Sequence, residues 1–114
     1  MSTTQPAYIN RQKLCTELRS GEHKQKRGDI GDWQDPDAPV CLIGVGLRLF
    51  PDCAKPHTEG QGVRLAHKIG LDFNTFTLLI RKNDVGITFY KLANTLESLP
   101  IYSQKELEDV DRPF

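Results

Sequence analysis

Hydrophobic positions in this chain recur mostly three and four residues apart, the spacing of helices that bury one face. Ile9, Leu14, Cys15 and Leu18 predict a first helix, with Asn10 as its N-cap and Ser20 and Gly21 at its end. Residues 39–50 are apolar around the whole circumference, which predicts a buried central helix with Pro39 in its first turn and Pro51 beyond its end. Val63, Leu65, Ala66 and Ile69 predict a short helix that stops at Gly70. The clearest stripe is Phe89, Leu92, Ala93, Leu96 and Leu99, with Thr88 placed to cap it and Pro100 to end it. Residues 75–91 read as a helical pair or as a β-hairpin, because Thr75, Phe76, Thr77 and Ile80 also suit a strand. The helical reading is preferred since the second half is so plainly helical. Ser103 and Glu106 match a capping box, so a last acidic helix is expected to run to about Asp111.

Between these elements the chain is polar. Residues 22–39 are dense in glycine, proline and aspartate, as loops require, with room for a minor hairpin joining the region near Ile30 to Val40. The pattern therefore implies one mainly α domain over residues 1–114: a buried central helix, a helix-turn-helix-like C-terminal pair and at most a small β element, with residues 1–8 and 112–114 as flexible ends.

Composition narrows the function classes. At 38% hydrophobic and 26% charged residues the chain should fold, and 114 residues make one ordinary domain. Fifteen basic side chains balance fifteen acidic ones, so no global field draws in nucleic acid or an anionic membrane. The charge is segregated all the same: residues 11–27 carry six basic and two acidic side chains, whereas Asp29, Asp32, Asp35 and Asp37 follow with no lysine or arginine among them. The apolar run at residues 40–47 is too short to span a bilayer, which takes about 20 residues. The polar start lacks the features of a secretory signal, and three widely spaced cysteines suit a reducing compartment, so cytoplasmic residence is expected.

Chemistry-bearing motifs are few. Gly44 and Gly46 invite a nucleotide-loop reading, but Leu49 stands where the third glycine belongs, and close packing of a buried helix explains both. Cys15, Cys41, Cys53, His23, His57 and His67 form no paired metal-ligand motif; the nearest is Cys53 followed four residues later by His57. No metal or other cofactor is therefore expected. Cys15 and Cys41 read as core thiols, with Cys53 and the histidines on surface loops. A cysteine-dependent hydrolase or transferase is the alternative: Cys41 at a helix N-terminus as nucleophile, His57 or His67 as base, Gln25 at an oxyanion hole and Asn83 or Asp84 orienting the imidazole. Against it, Cys41 lies among apolar neighbours. A binding site would draw on Lys24, Gln25, Arg27, Trp33, Asn83 and Asp84, which supply cations, an aromatic platform and amides. A nucleic-acid-binding module built on the C-terminal pair is disfavoured by Glu106, Glu108, Asp109 and Asp111.

Three blocks in order carry a family resemblance: Leu18-Arg19-Ser20-Gly21 with Lys24-Gln25, then Cys41-Leu42-Ile43-Gly44-Val45, then Asn83-Asp84-Val85-Gly86-Ile87-Thr88-Phe89 with Leu92-Ala93 and Leu96-Glu97. Together they resemble small uncharacterised proteins of phages and prophage regions. The chain departs from that pattern at Val40, where the first cysteine of a pair is usual, and at Lys26, where a glycine is usual. The resemblance implies a phage-encoded accessory protein that binds a host target stoichiometrically and counteracts a bacterial defence. It would do so by blocking a defence protein or by sequestering a nucleotide signal, with no membrane partner and with homo-oligomerisation left open.

Overall fold

The computed structural model describes residues 6–54 and 60–111. Among these, six α-helices and one 3-10 turn carry the structure. Helix α1 spans Pro6–Arg19 and buries Arg11, Leu14, Cys15 and Leu18 on one stripe. It starts before the expected Asn10 cap, at a proline whose fixed φ suits a first helical position. The side chain of Asn10 instead holds the carbonyl of Lys68 at 3.0 Å. Residues 6–8 are thus helical, not a loose end, and the flexible ends expected at residues 1–5 and 112–114 lie outside the described residues.

Helix α2 is Leu42–Leu49, with Cys41 as its N-cap. It begins three residues later than Pro39 because Val40 is engaged elsewhere, bridging in parallel to Gln25 and in antiparallel to Gly31. These isolated bridges, with the Cys41 N–H donating to the Ile30 carbonyl at 3.1 Å, stand where a hairpin was expected. The α2 glycines admit close neighbours. A Cβ on Gly44 would lie 2.4 Å from the Cβ of Val40, and one on Gly46 would lie 3.0 Å from a Leu65 methyl. Close packing, not phosphate binding, therefore explains both.

A 3-10 turn at Pro51–Ala54 leads on, and then α3 (Gln61–Lys68), α4 (Phe73–Asp84), α5 (Phe89–Ser98) and α6 (Gln104–Val110). The α4 segment, ambiguous between helix and strand, is helical, with Asp72 accepting from the Thr75 N–H at 3.1 Å as its cap. Thr88 caps α5, and Ser103 with Glu106 forms the capping box of α6, as the sequence predicts. Helix α2 sits centrally against α1, α3 and α4, while α1 and α5 make the most extensive helix pair. Val45, Leu47, Leu65, Phe76, Leu79, Leu92 and Leu96 fill the core between them. The radius of gyration, 13.4 Å, is that of a single domain of this length. No helix of the described residues is long and apolar enough to cross a membrane.

Two arginines tie the elements together. Arg11 is 1% exposed and uses all five of its N–H donors on carbonyls: Nε to Ile69 at 2.9 Å, Nη1 to Leu96 and Leu99, and Nη2 to Gly70 and Pro100 at 3.1 and 3.0 Å. These carbonyls lie at the C-terminal ends of α3 and α5, where helix dipoles favour a cation. Burial pulls the guanidinium's proton affinity down, and the Cys15 sulfur only partly offsets it. Arg48 of α2 reaches the aspartate-rich loop. Its Nε donates to the Trp33 carbonyl at 3.0 Å, Nη2 to the carbonyls of Asp35 and Ala38, and Nη1 to His23 Nδ1 at 2.9 Å. Since arginine can only donate, His23 must carry its proton on Nε2, which meets Glu17 Oε1 at 2.7 Å.

Candidate functional site

Four of the six residues expected to bind a ligand come together where residues 24–28 meet the α4–α5 junction. Backbone pairing sets this up: Val40 N–H donates to the Lys24 carbonyl and Lys26 N–H to the Val40 carbonyl, both at 2.8 Å. The intervening Gln25 is thereby aimed at α5. Its Nε2 donates to Asn83 Oδ1 at 3.0 Å and to the Ile87 carbonyl at 2.6 Å, while its Oε1 accepts from the Phe89 N–H at 3.0 Å. That N–H belongs to the first turn of α5, which has no partner within the helix.

Asn83, fully buried, completes the seam by donating from Nδ2 to the Lys26 carbonyl at 2.8 Å. Asp84 accepts from the Gly28 N–H at 2.9 Å, and Arg27 lies over Gly86. Gly86 has φ +99°, so the backbone requires glycine there, while a Cβ would meet only the movable end of the Arg27 side chain. The amides of Gln25 and Asn83 thus satisfy one another and the backbone. They seam a loop to two helices where a ligand was expected. Lys24 is exposed beside this seam, and Trp33 is half-buried against the core with its carbonyl held by Arg48.

The cysteine-enzyme constellation does not assemble among the described residues. Cys41 is 3% exposed. Burial pushes its thiol up, and the N–H groups of Gly44 and Ile43 at the start of α2 pull it back only in part. Gln25 and Asn83 are committed to the seam. His67 bonds Asp111 through Nε2 at 2.6 Å, and His57 lies outside the described residues. Cys15 donates weakly to the Ala93 carbonyl at 3.6 Å. Cys53, expected on a surface loop, is buried because the 3-10 turn folds it under Phe50, whose carbonyl accepts the Cys53 N–H at 3.0 Å. Burial raises all three thiols above their ordinary value. No group of three histidine, cysteine or carboxylate side chains that could hold a metal occurs among the described residues.

His67 is not on a loop either. It lies in α3, and its partner Asp111 also accepts from the Phe73 N–H at 2.9 Å, so one carboxylate joins α3, α4 and the end of α6. Sequence reasoning missed this pair, along with Arg11 and Arg48. Arg11 left a signal, since it falls on the apolar stripe of Leu14, Cys15 and Leu18. A charged residue at such a position is either a break in the helix or a buried anchor. Comparison of the chain with protein-family models, curated proteins and solved structures gives no match.

Proposed function

We propose that this protein is a binding protein that acts stoichiometrically on a host target, and not a cysteine-dependent enzyme. The observation that carries the reading is the state of the constellation with enzyme-like order: among the described residues its thiol is buried and its two amides are engaged in holding the fold. In keeping with the resemblance to phage and prophage proteins, the target is a protein of the bacterial cytoplasm, and blocking it counteracts a defence. Sequestration of a nucleotide by Lys24, Gln25, Arg27, Trp33, Asn83 and Asp84 is the weaker version, since Gln25, Asn83 and Asp84 already bond within the chain.

The outer face of α4 offers a surface for a protein partner. Leu78 and Val85, 54% and 74% exposed, each lie one turn from the exposed cations Arg81 and Lys82. Both cations also complement the carboxyl end of α4. An apolar contact rimmed by positive charge suits a partner with an acidic surface.

Two measurements test this. Native protein exposed to iodoacetamide at neutral pH should keep all three thiols unmodified until denaturant is added; rapid labelling of Cys41 in the folded state would restore the enzyme reading. Affinity purification from bacterial cells should yield one host protein at equal stoichiometry, lost in the Leu78→Glu/Val85→Glu variant with an unchanged circular dichroism spectrum. If the variant retains the same protein, the α4 face is not the interface.

A further inference from the structure

Away from the Gln25–Asn83 seam and the α4 face, two adjoining hollows open between the start of α1, the end of α3 and residues 102–104. One, of about 380 Å³, is lined by Pro6, Ala7, Asn10 and Tyr102. The other, of about 280 Å³, is bordered by Asp52 and Arg64. Both include His67, Lys68 and Gln104 in their walls, so they form one cleft. Its size falls in the range of small-molecule sites, about 300–1,000 Å³.

Hydrogen bonds fix the walls. Arg11 ties the carbonyls of Ile69 and Gly70, just past Lys68, to that of Pro100, just before the Tyr102 wall. The Tyr102 N–H donates to the Gly70 carbonyl at 2.9 Å, and Asn10 clamps the Lys68 carbonyl. A cleft held this way is organised before a ligand arrives, which lowers the entropic cost of binding.

The wall carries donors on Lys68, Ser103 and Gln104, with the Asp52 carboxylate as an acceptor beside them. Lys68 places one N–H on Asp52 at 2.9 Å, in a pair whose carboxylate is 67% exposed. Such a surface pair is weak, so a better-placed anion can share or displace it. His67 is held through Nε2 by Asp111, which fixes its ring as part of the wall. The Ser103 hydroxyl accepts from the Glu106 N–H at 3.2 Å and keeps its own proton to donate, while Glu106 turns back onto the Ser103 N–H. Gln104 adds an exposed amide. Beside these donors, Pro6, Ala7 and the Tyr102 ring supply an apolar floor.

We infer that this cleft binds a small organic phosphate, with Lys68, Ser103 and Gln104 gripping the phosphate and the Pro6–Ala7–Tyr102 floor receiving its apolar or aromatic body. The cleft is separate from the α4 face, so the two readings stand or fall independently.

Calorimetric titration of the purified chain with AMP and with phenyl phosphate tests this. At least one should bind with a dissociation constant in the range of about 10–100 μM, and inorganic phosphate about tenfold more weakly. Lys68→Ala should weaken that binding about tenfold or more. Gln104→Trp, at an exposed position bordering both hollows, should abolish it while leaving the circular dichroism spectrum and the melting temperature unchanged. The Leu78→Glu/Val85→Glu variant should bind the phosphates as tightly as the unaltered chain. Absence of binding by both organic phosphates at about 5 mM, or binding indifferent to Lys68→Ala and Gln104→Trp, overturns the site. Inorganic phosphate binding as tightly as the organic ones overturns the role of the apolar floor.

Discussion

The two polar junctions inside this protein solve the same problem with different chemistry. At one, Arg11 brings a full positive charge into the core and surrounds it with five carbonyls and no carboxylate. At the other, the neutral amides of Gln25 and Asn83 bond each other and the ends of two helices. A buried charge is costly to desolvate, and only a complete set of partners offsets it. The neutral pair risks less and gains less. Where each occurs follows from the backbone: the ends of α3 and α5 converge and present a cluster of carbonyls that only a fork of donors can satisfy. The α4–α5 junction presents carbonyls and an N–H together, which an amide matches on both sides.

Arg11 should therefore be the more damaging of the two to remove. Arg11→Ala removes all five guanidinium hydrogen bonds from the junction and should cost about 3–5 kcal/mol, read as a fall in the urea midpoint at unchanged slope. Arg11→Lys should recover only part of that, because an ammonium offers three donors where five are used. A loss below about 1 kcal/mol would mean that water replaces the guanidinium and that the two junctions are equivalent.

Next in size is the neutral seam. Asn83→Ala should cost about 1–3 kcal/mol, since it leaves the Lys26 carbonyl and one Gln25 N–H unpaired. Gln25→Ala should cost a similar amount, and the double variant less than the two losses added, by about 0.5 kcal/mol or more. Strict additivity in that cycle would show that the two amides do not act as one unit.

The smallest effect belongs to a polar contact at the surface. Glu106 is held below its ordinary value by the Ser103 N–H that it caps. A carboxylate whose folded value is depressed stabilises the fold above its unfolded value, and that contribution fades as pH falls through the folded one. The stability difference between the unaltered chain and Glu106→Gln should thus be present at neutral pH and vanish in acid below the ordinary carboxylate range. A difference that stays constant with pH would assign the cap to shape alone.

The sequence announces what is local and conceals what is not. The Thr88 and Ser103 caps, the Phe89–Leu96 stripe and the apolar α2 segment each lie within a few residues of the features they control, so helix positions could be read directly. The Gln25–Asn83 meeting was legible only as a set of polar residues suited to a site. Nothing within either segment reveals that they face each other across 58 positions. The burial of Cys53 depends on a 3-10 turn whose short span carries no periodic signal. His67 and Asp111, 44 positions apart, form a pair that no spacing rule connects.

The Arg11 knot also bears on the order in which the chain can reach its final form during synthesis. Its partners lie 58 to 89 positions downstream, so α1 emerges from the ribosome long before the carbonyls that receive it exist. At about 5–20 residues per second the wait lasts on the order of 5–20 s. Through that interval the first helix must either stay soluble on its own charged face or be shielded by other factors, and docking it becomes one of the last acts of maturation.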